Sequence, residues 1–273
     1  MKNIQLNKIP ILVINLEKRK DRLLKMKTRL NGLEFKRIQA VDKCTLNLEG
    51  VDFSNELSFP ELACIASHLK ALKKFLESEN EACCILEDDV ILGQDFFKIL
   101  KSNFKFPSNA YIIKLETYDQ RIWHSKNSYG VNDTRLDKLH SHHYGSAAYL
   151  TSRKGAKSLI EGLEKYDTAV DLVFFENMLR GNKYGHALQL NPACCIQENL
   201  KDPTIDSDIY KERHEVWLKN KTQLDRYSVV PKNKFLRESK RIFNQICGTS
   251  IIILEFLKAN CFTRKYGKIK FKS

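Results

Sequence analysis

Short continuous apolar runs alternate with amphipathic stretches along this chain. Ile9–Ile14 (IPILVI) reads as a buried strand. A basic helix over Lys18–Asn31 follows, with Gly32 as its stop. Lys36–Ala40 is a second strand, ending at Val41-Asp42, and residues 43–55 read as a loop. Ser58-Phe59-Pro60-Glu61 opens the next helix, with Pro early in the first turn, where its missing N–H does no harm. Leu62, Ile65, Leu69, Leu72 and Leu76 form a core-facing stripe at helical spacing. Glu61 and His68 fall about 20° apart on one edge of that stripe. Ala82–Leu86 (ACCIL) and Ala110–Leu115 are further buried strands, whereas residues 117–141 are polar and read as a long irregular segment. Ala147–Leu150 leads into a helix from Arg153 to Lys165, capped by Thr151-Ser152. A helix beginning near Asp171 stops around Gly181, and His186–Leu190 and Ala193–Ile196 are the last strand-like pieces. Strand–helix–strand repetition of this kind predicts an α/β fold with a sheet flanked by helices.

Composition adds a constraint on location. The 273 residues carry a formal net charge of +13, which suggests a polyanionic partner: nucleic acid, anionic lipid or a phosphorylated substrate. Residues 232–273 hold eleven Lys/Arg against Glu238 and Glu255, so +9 of the surplus sits there and the rest of the chain is nearly balanced. The expected organisation is therefore a catalytic domain over 1–205 and a helical, basic extension over 206–273. Eight cysteines include the adjacent pairs Cys83-Cys84 and Cys194-Cys195, each inside an apolar run and without zinc-ligand spacing, so reduced structural thiols and a cytoplasmic setting are expected. No apolar run approaches the ~20 residues of a spanning helix.

Four segments carry candidate chemistry. Glu87-Asp88-Asp89 closes an apolar strand, and three adjacent carboxylates there suit Mg²⁺ or Mn²⁺ together with a nucleotide diphosphate. Taken alone, the same triplet also fits a solvated turn. Asn15-Leu16-Glu17-Lys18-Arg19-Lys20-Asp21-Arg22 puts basic residues at a strand end and helix start, an anion-binding pattern or simply an exposed basic helix. Glu61, Ser67 and His68 share a helix. Asp171 and Glu176 flank an apolar helical stretch, about 140° apart, so at most one of them faces a site.

Taken together, these segments resemble glycosyltransferase family 25, the lipooligosaccharide galactosyltransferase family. The opening Ile11-Leu12-Val13-Ile14-Asn15-Leu16 with Arg19 and Arg22, then Ala40-Val41-Asp42, Glu61-Leu62-Ala63-Cys64-Ile65-Ala66-Ser67-His68, Ile85-Leu86-Glu87-Asp88-Asp89-Val90, Gly145-Ser146-Ala147-Ala148-Tyr149 and Val170-Asp171 match the family's blocks in order, over about residues 9–200. The resemblance implies a GT-A-like, Rossmann-type mixed sheet flanked by helices. It also implies an inverting transfer from a nucleotide sugar, most often UDP-galactose, to a lipid-linked oligosaccharide acceptor. By that resemblance Glu87 and Asp89 are the expected metal ligands for Mn²⁺ or Mg²⁺, and Asp171 is the expected base with Glu176 in reserve. Asn15, Leu16, Arg19, Arg22, Asp42 and Asp88 are expected around the nucleotide and its phosphates. Glu61, Ser67 and His68 are expected to line the donor pocket or orient its neighbours, and Gly145 and Ser146 to let backbone approach the sugar. Glu87 stands where other metal-dependent transferases place Asp.

The basic extension holds an apolar island, Ile251–Leu257, between charged flanks. A basic amphipathic helix of this kind is expected on an anionic membrane surface, here the cytoplasmic face of the inner membrane, as a peripheral enzyme. The competing expectation is packing on the catalytic domain or on a second copy of the chain in a homodimer. UDP-glucose and UDP-N-acetylglucosamine are the alternative donors. A nucleic-acid-binding protein is the reading from another class; it lacks a recognisable module and leaves Glu87-Asp88-Asp89 without a role.

Overall fold

In the computed structural model, residues 4–5, 9–101, 105–125, 129–131, 134–175, 185–202, 204–205 and 264–273 are described. Apolar parity within the first strands explains the layering. Strand β1 (Ile4–Gln5) precedes β2 (Ile11–Asn15), helix α1 (Lys20–Arg29), β3 (Lys36–Gln39), α2 (Phe59–Leu76) and β4 (Ala82–Glu87). Successive residues of a strand point to opposite faces. Leu12, Ile14, Cys83 and Ile85 accordingly join a core with the Leu62, Ile65, Leu69 and Leu72 stripe of α2. Ile11, Val13, Cys84 and Leu86 join a second core with Met26 and Leu30 of α1. The adjacent cysteines Cys83 and Cys84 thus serve two different cores as free, buried thiols.

The chain continues through β5 (Val90–Leu92), α3 (Gln94–Lys101), β6 (Lys105–Phe106), β7 (Ala110–Lys114), β8 (Arg121–Ser125), β9 (Tyr129–Val131) and β10 (Thr134–Lys138). Then come β11 (Ala148–Ser152), α4 (Arg153–Leu163), α5 (Val170–Phe175), β12 (His186–Asn191), β13 (Cys195–Gln197), α6 (Glu198–Lys201) and β14 (Arg264–Lys268). The main sheet has eight strands in the order β3-β2-β4-β11-β7-β12-β10-β9. It is mixed: β2 runs parallel to β3 and β4, while β11 runs antiparallel to both β4 and β7. Helices cover both faces, α2, α4 and α5 on one and α1 and α3 on the other. The α/β sheet flanked by helices expected from the sequence is the architecture observed. Because β11 opposes its neighbours, the loop that enters it arrives at the same edge from which β2, β4 and β7 depart.

Two expectations are corrected. Residues 117–141 are not wholly irregular, since β8, β9 and β10 lie within them. β9 and β10 lie at one end of the main sheet, β8 pairs with β14 outside it, and β10 carries buried Asp137, satisfied by Arg135 at 2.9 Å and Asn191 at 2.7 Å. The end of the basic extension is strand rather than helix: Arg264–Lys268 pairs antiparallel with Arg121–Ser125. Ile269 is then buried in the core, and its carbonyl accepts from the Thr117 hydroxyl at 2.6 Å. Local apolar spacing does not register such a pairing, which is made through main-chain bonds to a distant strand. Residues 206–263, with the apolar island, lie outside the described residues. Among the described residues no helix is long and apolar enough to cross a membrane.

Candidate active site

The C-terminal ends of β2, β3 and β4 and the adjoining face of α2 enclose a cavity of about 220 Å³. Arg19, Arg22 and Asp42 line it from one side, Ser67, His68 and Cys64 from α2, and Glu87, Asp88 and Asp89 from the end of β4. Leu16 also lines it. Asn15 and Glu61 do not; they act behind the wall.

β4 ends at Glu87, and Asp88-Asp89 form a turn into β5, so strand alternation does not divide the three acids. Asn15, buried at the end of β2, donates from Nδ2 to Asp88 Oδ2 at 2.7 Å, and its Oδ1 accepts from Arg37 Nε at 2.9 Å. Arg22 Nη1 donates to Asp88 at 3.1 Å and lies 3.6 Å from Asp89. The Arg22 Nε is buried without a hydrogen-bond partner, and so is Oδ1 of Asp89. Burial first, and the charge of Glu87 second, push the Asp89 carboxyl up to about 7. An unsatisfied buried acceptor beside like charges is costly, and a cation would relieve that cost. Hard carboxylate oxygens are the donor set that Mg²⁺ or Mn²⁺ takes, so Glu87 and Asp89 fit the ion that the sequence implies.

His68 is held between two partners: Nδ1 lies 3.0 Å from the Tyr149 hydroxyl and Nε2 lies 3.2 Å from Glu87 Oε1. Ser67 ties the loop after β3 to α2, its hydroxyl accepting from Val41 N at 2.8 Å and donating to Ala63 O at 2.7 Å. Asp42 pairs with Lys18 at 2.5 Å, which, with the Cys44 backbone N–H, holds its carboxyl below the ordinary range. Glu61 departs from expectation. Its carboxylate accepts from the Ser58 N–H at 2.9 Å and hydroxyl at 2.8 Å, closing a capping box at the start of α2. It meets the Ser58 N–H and hydroxyl in the first turn of α2 and does not line the cavity.

Gly145, Ser146 and Asp171 meet farther along the same edge. Asp171 accepts from the Gly145 N–H at 3.1 Å. Gly145 has φ +85°, and a Cβ there would sit 3.2 Å from the Glu116 carboxylate, so glycine is needed twice over. Ser146 is buried. None of the three lines the cavity. Glu176 lies outside the described residues.

One pair escaped the sequence reading. Lys114 and Glu116, both fully buried, are 3.1 Å apart. Lys114 also donates to the carbonyls of Tyr144, at 2.8 Å, and Gly145. Glu116 accepts from the Ala147 N–H at 2.6 Å. Burial pushes the Lys114 amine down and the Glu116 carboxyl up. The available signal was a lysine closing an otherwise apolar strand, with an acid two residues on and therefore on the same face.

The mixed α/β sheet thus brings carboxylates from the ends of β3 and β4 and arginines from the start of α1 to one cavity. The family model for Glycosyltransferase family 25 (LPS biosynthesis protein) matches residues 8–174, and this chain belongs to that family. Among its relatives is the lipooligosaccharide biosynthesis protein lex-1 of Haemophilus influenzae, 33% identical over 183 residues, covering 62% of this chain and 60% of that protein. The lacto-N-neotetraose biosynthesis glycosyltransferase LgtB of Neisseria meningitidis serogroup B is 33% identical over 159 residues, covering 52% of this chain and 55% of that one. The match thus spans less than two thirds of these relatives. Among solved structures, a glycosyltransferase involved in glycosylation of the major capsid of PBCV-1 aligns with TM-score 0.40 and 11% identity, over 77% of this chain and 99% of that one.

Proposed function

We propose that this protein is an inverting, metal-dependent glycosyltransferase that moves galactose from UDP-galactose to a lipooligosaccharide acceptor. The observation that carries the reading is the convergence of Arg19, Arg22, Asp42, His68 and the Glu87-Asp88-Asp89 acids, far apart in sequence, on one cavity at the sheet's C-terminal edge. The names of the relatives, lipooligosaccharide biosynthesis and lacto-N-neotetraose biosynthesis, support the acceptor class.

Each residue then has a task. Arg22, through its unpartnered Nε, and Arg19 would bind the diphosphate. Asn15 holds Asp88 and the β2 end in place, and Ser67 fixes the loop that carries Asp42. Glu87 and Asp89 would hold Mn²⁺ or Mg²⁺, which when bound neutralises charge on the departing nucleotide. Asp171 takes the proton from the attacking acceptor hydroxyl. The acceptor oxygen bonds to the anomeric carbon as that carbon's bond to the diphosphate oxygen breaks on the opposite face. The Gly145–Ser146 loop positions the sugar beside Asp171.

Thermal stabilisation by UDP plus Mn²⁺ is the expected first result; stabilisation by oligonucleotide alone would sink the reading. Asp171→Asn should abolish transfer while leaving UDP affinity near that of the unaltered chain, and full turnover in that variant would remove Asp171 as base. A panel of UDP-sugars separates galactose from glucose and N-acetylglucosamine, whose discrimination rests on a few pocket contacts.

The same proposal places the enzyme peripherally on the cytoplasmic face of the inner membrane, through the basic C-terminal extension, residues 206–273. Truncation is a poor test, because it removes the strand that pairs with β8 and the buried Ile269. Changing Lys232, Lys234, Arg237, Lys240 and Arg241 to Gln should weaken binding to anionic vesicles, and unchanged binding would refute the membrane role.

A further inference from the structure

Cys64 and His68 are four residues apart on α2, on one helical face, and Glu87 ends the strand beneath them. One donor atom from each, Sγ, an imidazole nitrogen and a carboxylate oxygen, lie within 4.8 Å of one another. A tetrahedral ion with bonds of about 2.0–2.3 Å holds its ligand atoms about 3.5 Å apart. The 3.2 Å separation of His68 Nε2 and Glu87 Oε1 is already near that spacing, and the Cys64 Sγ lies within 4.8 Å of the other two donors. We propose that Cys64, His68 and Glu87 form a three-donor site for a borderline-soft divalent ion, zinc(II) or cobalt(II), distinct in preference from the Glu87–Asp89 carboxylate pair.

Three features make this a built site. The imidazole is locked: Nδ1 meets the Tyr149 hydroxyl at 3.0 Å, and the ring packs on Tyr149 and edge-on to Phe174 at centroid distances of 5.8 and 5.7 Å. With Nε2 on the ion, Nδ1–H donates to Tyr149, the outer partner that a ligating histidine ordinarily has. All three donors also line the cavity. The fourth coordination position therefore opens onto it, as in zinc sites that keep a place for water or substrate. Finally, sulfur, nitrogen and oxygen together favour zinc or cobalt over magnesium.

The site does not depend on the transferase reading, but it shares Glu87 with it. Zinc bound at Cys64 and His68 takes Glu87 away from the carboxylate pair, so zinc opposes manganese-dependent donor binding.

Cobalt(II) titrated into the full-length, metal-free protein tests the idea without any assay of turnover. The expected spectrum has a thiolate-to-cobalt charge-transfer band and intense tetrahedral bands in the visible. Cys64→Ser should remove the charge-transfer band, whereas Cys44→Ser, altering an exposed cysteine outside the site, should keep it. Tyr149→Phe should weaken cobalt affinity by about 10–100-fold. Absence of the charge-transfer band in the unaltered chain overturns the site, and so does its survival in Cys64→Ser. Each variant is first checked for stabilisation by UDP plus Mn²⁺. A protein that keeps that response yet gives no cobalt band loses this proposal alone, and one that shows the band without the nucleotide response loses only the transferase reading.

Discussion

Glu87, Asp88 and Asp89 and the Lys114–Glu116 pair occupy the same edge of one sheet, two strands apart, with Gly145 and its neighbours between them. The first group faces the cavity, gathers three like charges around a single arginine and leaves an Asp89 oxygen without a partner. The second has no access to solvent, sets one positive against one negative charge, and aims both at backbone atoms of residues 144–147. Electrostatic discomfort at the cavity is what a ligand can relieve. Neutrality behind it is what a scaffold requires. Burial does not separate the two groups, since Asp88 is buried as well and Glu116 Oε2, like Asp89 Oδ1, has no hydrogen-bond partner; the balance of charge does.

Breaking the cavity side should have the largest effect. Glu87→Gln or Asp89→Asn is expected to lower transfer by on the order of 10²–10³-fold, with thermal stability unchanged or raised because like charges are separated. Near-normal turnover would move the reacting centre elsewhere. On the scaffold side the sign reverses. Lys114→Met strands Glu116 in the interior and should cost about 3–5 kcal/mol in urea unfolding, whereas removing both charges together should recover most of that loss. A double variant as unstable as the single one would show that the pair's partners, rather than the pair, set the stability.

Acid should act on the scaffold as well. His143 lies in the interior with Nδ1 2.8 Å from Gln189 Oε1, and burial holds its pKa well below 6.5. The folded form therefore binds fewer protons than the unfolded form below that value. Stability is present above pH 6.5 and is lost as pH falls, by at most about 1.4 kcal/mol per unit for this residue. His143→Gln should flatten that slope, which melting curves taken between pH 5 and 7.5 can measure. The smallest effect belongs to the capping box: Ser58→Ala should cost about 1 kcal/mol and leave turnover unaltered, which would set Glu61 firmly among the structural residues.

These contrasts also explain what could be read in advance. Asp42 and the Glu87-Asp88-Asp89 acids were legible because they sit within a few positions of the end of an apolar run, and strand ends of one parallel set converge by construction; Ser67 and His68 came from the spacing along α2. Cys83 and Cys84 were legible for a related reason, since alternation alone sends them to two cores. Glu61 misled because helical spacing fixes its direction but not its partner, and Ser58 is nearer than the pocket. Lys114 and Glu116 were missed because their partners, Tyr144, Gly145 and Ala147, lie about thirty residues away and offer only backbone atoms. The polar strands Arg121–Ser125 and Thr134–Lys138 bury few apolar side chains, so no periodicity announces them.

That backbone grip has a consequence for how such a molecule can diversify. Lys114, Glu116 and Asp171 hold the carbonyls of Tyr144 and Gly145 and the N–H groups of Gly145 and Ala147. None of these contacts reads the side chain of Tyr144 or Ser146. The glycine is committed by its φ and by the carboxylate pressed against it, and Ser146 and Ala147 are buried, which leaves Tyr144 as the exposed position. A loop clamped by its main chain can exchange its side chains while its shape persists. The exposed Tyr144 position is where such a scaffold can vary without rebuilding that edge.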